Sequence, residues 1–309
     1  MRQLSFSSST KNCLALLLLT AFVFISGCNT NVSQPSASDS RAENNLTIVT
    51  SFYPMYIMAK NITADVSGVE LINLTGPQTG CLHDYQLTPE NVKTLQKADI
   101  FIVNGAGSES FMDKVTAQQK QLKIITATKG MKLINNTGQT DPNPHVWVSI
   151  AGAIQEVKNI SKHLSELDPA HAQQYEKNSA AYITKLENLR KEMHAELDKL
   201  PQRNIVSFHE AFPYFAEEFN LNIVAVVERE PGSEPSAREI AETIEIVKAA
   251  KAPALFVEPQ YPSGSAKVIA KETGARVYVL DPAVTGPDDP NAYLNIMKNN
   301  LTALKEALR

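Results

Sequence analysis

Three histidines in this 309-residue chain stand in segments built for chemistry. His83 lies in Gly80-Cys81-Leu82-His83-Asp84-Tyr85, which brings a thiol, an imidazole and a carboxylate together in a few residues. His145 lies in Pro144-His145-Val146-Trp147, and His209 in Ser207-Phe208-His209-Glu210. A fourth segment, Leu280-Asp281-Pro282, adds a carboxylate. Three imidazoles and one carboxylate make a borderline-soft set of four ligands, the kind that suits zinc. Each residue also has an ordinary reading: a lone His is often a core or surface residue, Asp281-Pro282 can open a turn, and Asp84 can support a loop. Cys81 reads either as a small buried hydrophobe or as a thiol at or near the metal. His163, His171 and His194 fall within helical stretches and read as solvated.

The surrounding pattern must supply elements that bring these segments together. Leu46 to Ser51, Val69 to Leu74, Asp99 to Val103 and Leu122 to Thr126 are β-branched and apolar, and read as buried strands. Helices are predicted between them at Met55 to Ile62, Thr88 to Lys97 and Glu109 to Gln119. Thr88-Pro89-Glu90 is a helix start, with a hydroxyl cap, Pro at the first position and an acid in the first turn. Gly105 and Gly107 lack the third glycine of a dinucleotide fingerprint and are read as a turn. After Ser149 an apolar stripe at helical spacing runs to Leu167. A second begins at Asp168-Pro169 and continues to Leu200, which gives a helix of roughly 48 Å at 1.5 Å per residue. A second series follows, with strands at Asn204 to Phe208, Asn222 to Val227, Ala254 to Val257 and Arg276 to Leu280.

This alternation predicts an α/β fold: two lobes, each with a roughly four-stranded, mainly parallel sheet flanked by helices, joined by one long backbone helix. In such sheets ligands bind beyond the carboxyl ends of strands. His83, His145, His209 and Asp281 all follow strands, two in each lobe, so the cleft between lobes is where they could meet. Glu210 and Glu258 also follow strands and can orient a ligand imidazole through its other nitrogen. Glu228, Glu230 and Glu234 belong to a loop read as a solvated turn.

The formal charge of −4 is wrong for nucleic acid, which calls for a basic face. Arg2 and Lys11 precede an apolar run from Leu14 to Ile25, too short for a span of roughly 20 residues. The run ends in Ile25-Ser26-Gly27-Cys28, similar to a bacterial lipobox, in which the cysteine receives a lipid. Residues 1–27 are therefore expected to be a lipoprotein signal peptide, 28–45 a flexible tether, 46–167 the first lobe, 168–200 the linking helix and 201–309 the second lobe. Cys13 and Cys28 are accounted for by this reading, which leaves Cys81 with no intramolecular disulfide partner.

Cys81-Leu82-His83-Asp84-Tyr85-Gln86-Leu87-Thr88-Pro89, Pro144-His145-Val146-Trp147 and Ser207 to Phe215 together resemble the signature segments of the metal-binding lipoproteins of zinc/manganese ABC transporters, the cluster A-I or cluster 9 solute-binding proteins. The resemblance runs from about Leu46 to the end. It implies two α/β lobes on a rigid helix, capture of a divalent cation outside the membrane, and delivery to the membrane permease of an ABC importer. It implies metal ligands at His83, His145, His209 and Asp281, a lipid-anchored extracytoplasmic protein facing the outside or the periplasm, and a monomer rather than an enzyme. Manganese importers of this family commonly carry Glu where this chain has His209, so zinc is expected and manganese is the alternative. The chain departs from many zinc members: nothing between His83 and His145 is His, and no C-terminal cysteine pair is present. Two other readings are a secreted metalloenzyme, disfavoured by a full ligand set and no His-Glu-x-x-His, and a surface adhesin.

Overall fold

Eight short strands alternate with nine helices among the described residues, and the ligand-type side chains sit in the loops where strands end. The computed structural model describes residues 45–82, 84–136, 138, 140–227, 235–261 and 264–309. The proposed signal, the tether up to residue 44, His83, and Glu228, Glu230 and Glu234 lie outside the described residues.

The first sheet holds β1 (Leu46–Thr50), β2 (Val69–Asn73), β3 (Ile100–Val103) and β4 (Lys123–Thr126), in the order β2-β1-β3-β4. The second holds β5 (Asn204–Ser207), β6 (Asn222–Val226), β7 (Ala254–Val257) and β8 (Arg276–Val279), in the order β6-β5-β7-β8. Every pairing in both is parallel. The fully buried β3 and β7 read Ile-Phe-Ile-Val and Ala-Leu-Phe-Val, apolar on both faces because helices cover both sides. The helices of the first series are α1 (Tyr53–Ile62), α2 (Pro89–Lys97) and α3 (Met112–Gln118). Next come α4 (Ile150–Leu167) and α5 (Ala172–Leu197); the second series has α6 (Pro213–Glu218), α7 (Ala237–Ala250), α8 (Gly264–Thr273) and α9 (Ala292–Ala307).

Side-chain caps fix several of the starts. Thr88 accepts from the Asn91 amide at 3.2 Å, and the Asn91 side chain accepts from the Thr88 amide at 2.9 Å, a reciprocal cap on α2. Ser149 accepts from Gly152 N at 2.9 Å and starts α4 next to His145.

The long helix is shorter than its apolar stripe. It spans 26 residues, roughly 39 Å. Asp168 does not cap it. Its amide closes the end of α4 on Leu164 O, and its carboxylate accepts from His171 Nδ1 and Tyr175 OH, both at 2.7 Å. The chain therefore turns through Pro169 before α5 begins. His163, His171 and His194 are half-buried rather than solvated, and each has a helix-local partner: Asn159 O, Asp168 and Asp198.

The main apolar core runs from Ile48 and Phe101 in the first lobe, through Tyr182 and Leu186 of α5, to Phe215, Leu280 and Leu304 of the second. A smaller core under α7 and α8, around Val206, Leu255 and Ile269, belongs to the second lobe alone. The lobes thus share one packed interior, which resists relative motion more than a single connecting helix would.

Candidate metal centre

In a sheet ordered 2-1-3-4 the crossovers leave in opposite directions, and a crevice opens beyond the ends of the two central strands. The second lobe uses this crevice for an imidazole. β5 ends at Ser207 and carries His209 just beyond it; β7 ends at Val257 and carries Glu258. His209 Nδ1 and Glu258 Oε1 lie 2.8 Å apart, with both residues buried. The carboxylate accepts, so the proton is on Nδ1, and Nε2 carries the lone pair that can bind a metal.

His145 is oriented in the same way by different means. Asn143 Nδ2 donates to Glu210 O at 2.7 Å and to Asn136 Oδ1 at 2.9 Å. With both amide protons committed, Asn143 Oδ1 is the group that faces His145, accepting from its backbone N at 3.0 Å and its Nδ1 at 3.1 Å. Nε2 is again the nitrogen left with the lone pair. Tyr214 OH donates to Asn143 O at 2.9 Å, so α6 of the second lobe holds the loop that carries His145.

Trp147 ties His145 to the Asp281 loop. It is fully buried, donates from Nε1 to Pro282 O at 2.8 Å, and its own carbonyl accepts from Tyr293 OH at 2.8 Å. The Asn300 side chain brackets Asp281, accepting from its amide at 2.9 Å and donating to its carbonyl at 2.8 Å. Burial pushes the Asp281 carboxyl up to about 6, against the hydrogen bond from Ala283 N, and the charge on Glu258 adds to the rise.

Cys81 enters from the first lobe. Gly80, at φ +80°, makes the turn, with the Tyr261 hydroxyl 3.5 Å from where a Cβ would stand. Buried Leu82 anchors the other side. Cys81 Sγ lies 3.7 Å from His145 Nε2, and the His145 and His209 rings meet edge to face at 4.7 Å between centroids. Among the described residues, Cys81, His145 and His209 each offer a ligand atom within 4.8 Å of the others. Burial pushes the Cys81 thiol well up, and the charge on Glu258 adds to this.

Of the four ligands expected, His145 and His209 therefore stand together, Asp281 lies in the adjoining loop but outside that group, and His83 is outside the described residues. Glu258 contacts His209 directly. Glu210 contributes its backbone carbonyl to Asn143. Asp84 is exposed. Sequence reasoning missed Asn143 and Asn300. The one legible signal was Pro142-Asn143-Pro144, an amide fixed between two prolines directly before His145.

The sequence family described as "Zinc-uptake complex component A periplasmic" (ZnuA) matches residues 48–307, and the chain belongs to that family. It is 30% identical over 311 residues to the "High-affinity zinc uptake system protein ZnuA" of Bacillus subtilis, covering 94% of this chain and 96% of that protein. It is 31% identical over 308 residues to the "Manganese ABC transporter substrate-binding lipoprotein scaA" of Streptococcus gordonii, covering 95% and 97%. Among solved structures, the laminin-binding adhesin Lmb of Streptococcus agalactiae superposes with a TM-score of 0.78 at 29% identity, over 85% of this chain and 100% of that one.

Proposed function

We propose that this chain captures a divalent transition metal, zinc in the first place, in the cleft between its lobes and hands it to the permease of an ABC importer. The observation that carries this reading is the pair His145 and His209. They come from different parts of the chain, both are buried with Nδ1 committed, which leaves Nε2 of each for a metal, and together with Cys81 they offer ligand atoms within 4.8 Å of one another. A buried imidazole pair oriented in this way is organised for a cation before the cation arrives. His83 joins the set on the resemblance of its segment, and Asp281 on its place in the loop pinned by Trp147. The protein binds rather than catalyses: four protein ligands leave no open position beside a general base. It acts as a lipid-anchored monomer outside the membrane, with Cys28 as the lipidated residue. The Ile25-Ser26-Gly27-Cys28 segment and the relatives named as lipoproteins support the lipid anchor.

Metal binding competes with protons for the imidazoles, and the ligand bonds bridge the lobes. Because the main core is continuous across the lobes, release is expected to come from disturbance of a ligand loop rather than from a wide opening. Manganese is the second reading, favoured by the manganese-transporting relative. The test is metal content after stripping and equimolar exposure to zinc, manganese, iron and copper, read by mass spectrometry. One zinc per chain, lost in His209→Ala, is the expected result. Retained manganese would replace zinc in this reading, and no stoichiometric metal would overturn it.

A further inference from the structure

We propose that Cys81 is itself a metal ligand, and that its thiolate sets the preference of the site for zinc over manganese. The inference rests on the metal-capture reading above and adds a donor of a different class to it.

The geometry is that of a ligand shell. Tetrahedral zinc with Zn–S of about 2.3 Å and Zn–N of about 2.0–2.1 Å puts sulfur and nitrogen about 3.6 Å apart. Cys81 Sγ and His145 Nε2 are 3.7 Å apart. His145 Nε2 is the nitrogen that Asn143 leaves with the lone pair, so the sulfur lies beside the nitrogen that can bind a metal. His209 completes a group whose ligand atoms all fall within 4.8 Å. Three donors converging from three separate segments, two of them on nearly inaccessible imidazoles, is more than a cysteine filling core space requires.

The local backbone serves the same end. Gly80 takes φ +80°, Leu82 is buried, and Pro77 O accepts from Gly286 N at 3.3 Å, which holds the loop against the segment that follows Asp281. Cys81 sits between these anchors with its side chain turned to the two histidines.

Charge and softness point the same way. The imidazoles are neutral, so the charge facing a dication must come from other groups: a thiolate supplies one negative charge directly beside the histidine pair and Glu258 supplies another through His209, in addition to the Asp281 carboxylate. On binding, the thiol proton is released to solvent and sulfur donates its pair to the metal. Thiolate favours zinc and copper(I) over manganese, which takes harder oxygen donors. His209 in place of a carboxylate and Cys81 at the same centre therefore act in one direction.

The test is the full chain in detergent, loaded with cobalt(II) as a spectroscopic stand-in for zinc. A thiolate ligand gives an intense sulfur-to-cobalt charge-transfer band in the near ultraviolet, and wild type is expected to show it. Cys81→Ser should bind one cobalt without that band. Its zinc affinity should fall by more than about 100-fold, the upper end of what loss of a partner outside the ligand shell brings, while its manganese affinity changes little. Cys81→Ala separates loss of sulfur from any ligation by the serine hydroxyl and is expected to match Cys81→Ser. Stoichiometric cobalt in wild type without the band would overturn the role of Cys81 and leave the metal-capture reading standing. Equal losses of zinc and manganese would overturn its role in selectivity. No cobalt or zinc on wild type would overturn both readings together.

Discussion

The two sheets have the same strand order, yet their crevices are used in opposite ways. In the second lobe, the space beyond β5 and β7 holds His209 backed by Glu258, a carboxylate spent on orienting an imidazole. In the first, the space beyond β1 and β3 is closed by Glu109. That carboxylate accepts from Ser51 Oγ at 2.8 Å, Asn104 N at 2.8 Å and Gly105 N at 3.0 Å. Gly105 is required there because a Cβ would stand 2.4 Å from Thr126 Cγ2 at φ +84°. Asn104 Nδ2 then donates to Pro144 O at 2.9 Å, immediately before His145. One crevice therefore presents the His209 imidazole, and the other is a plug that fixes the loop carrying His145. Identical topology does not dictate identical use; what the residues after the strands bond to decides it.

The largest effect that would test this contrast is in the second crevice. Glu258→Gln offers His209 a neutral acceptor or, flipped, a donor, and removes the charge behind the ring. Zinc affinity is expected to fall by about 10–100-fold with one zinc still bound at saturation, measured by competition with a chromogenic chelator. A loss no greater than that of a surface substitution would show that His209 needs no carboxylate.

Glu109→Gln should do the reverse. Its amide nitrogen would face backbone N–H donors, and a donor left unsatisfied in the interior costs about 1–3 kcal/mol. Urea unfolding should show that loss, with zinc affinity falling far less than in Glu258→Gln. An affinity loss as large as that of Glu258→Gln would erase the distinction between plug and ligand support.

The smallest change is expected at Glu156 of α4, which is fully buried, with neither carboxylate oxygen partnered among the described residues. Burial raises it well above 4.5, and the charge on Glu109 adds to this. A raised folded-state value means the folded protein binds the proton more tightly. The contribution of Glu156 to stability is full below about 4.5 and is lost as pH rises toward the folded-state value. Glu156→Gln keeps the neutral shape, so it should stabilise the protein by about 1 kcal/mol near neutral pH. The gain should shrink to nothing as the unfolding titration moves into acid. A gain independent of pH would show that ionisation of Glu156 is not the cause.

The sequence by itself determined the elements and the residue types of the site. Apolar runs of four to six residues separated by capped helices predict the β-α alternation, because backbone groups buried in a sheet must pair and helices must cover both faces. His145, His209 and Cys81 stood out by residue type and by following strands. Element ends were less legible. The stripe from Asp168 to Leu200 kept helical spacing, while Asp168 was taken up by His171 and Tyr175, an i,i+3 and i,i+7 choice that periodicity does not record. Only the tertiary structure decided how the site is assembled. The pairing of His209 with Glu258 spans 49 residues, that of Cys81 with His145 spans 64, and that of Trp147 with Pro282 spans 135. Such contacts depend on which crevice lies opposite which loop. The order of the strands in each sheet, and the shared core that holds the lobes together, set that relation in three dimensions.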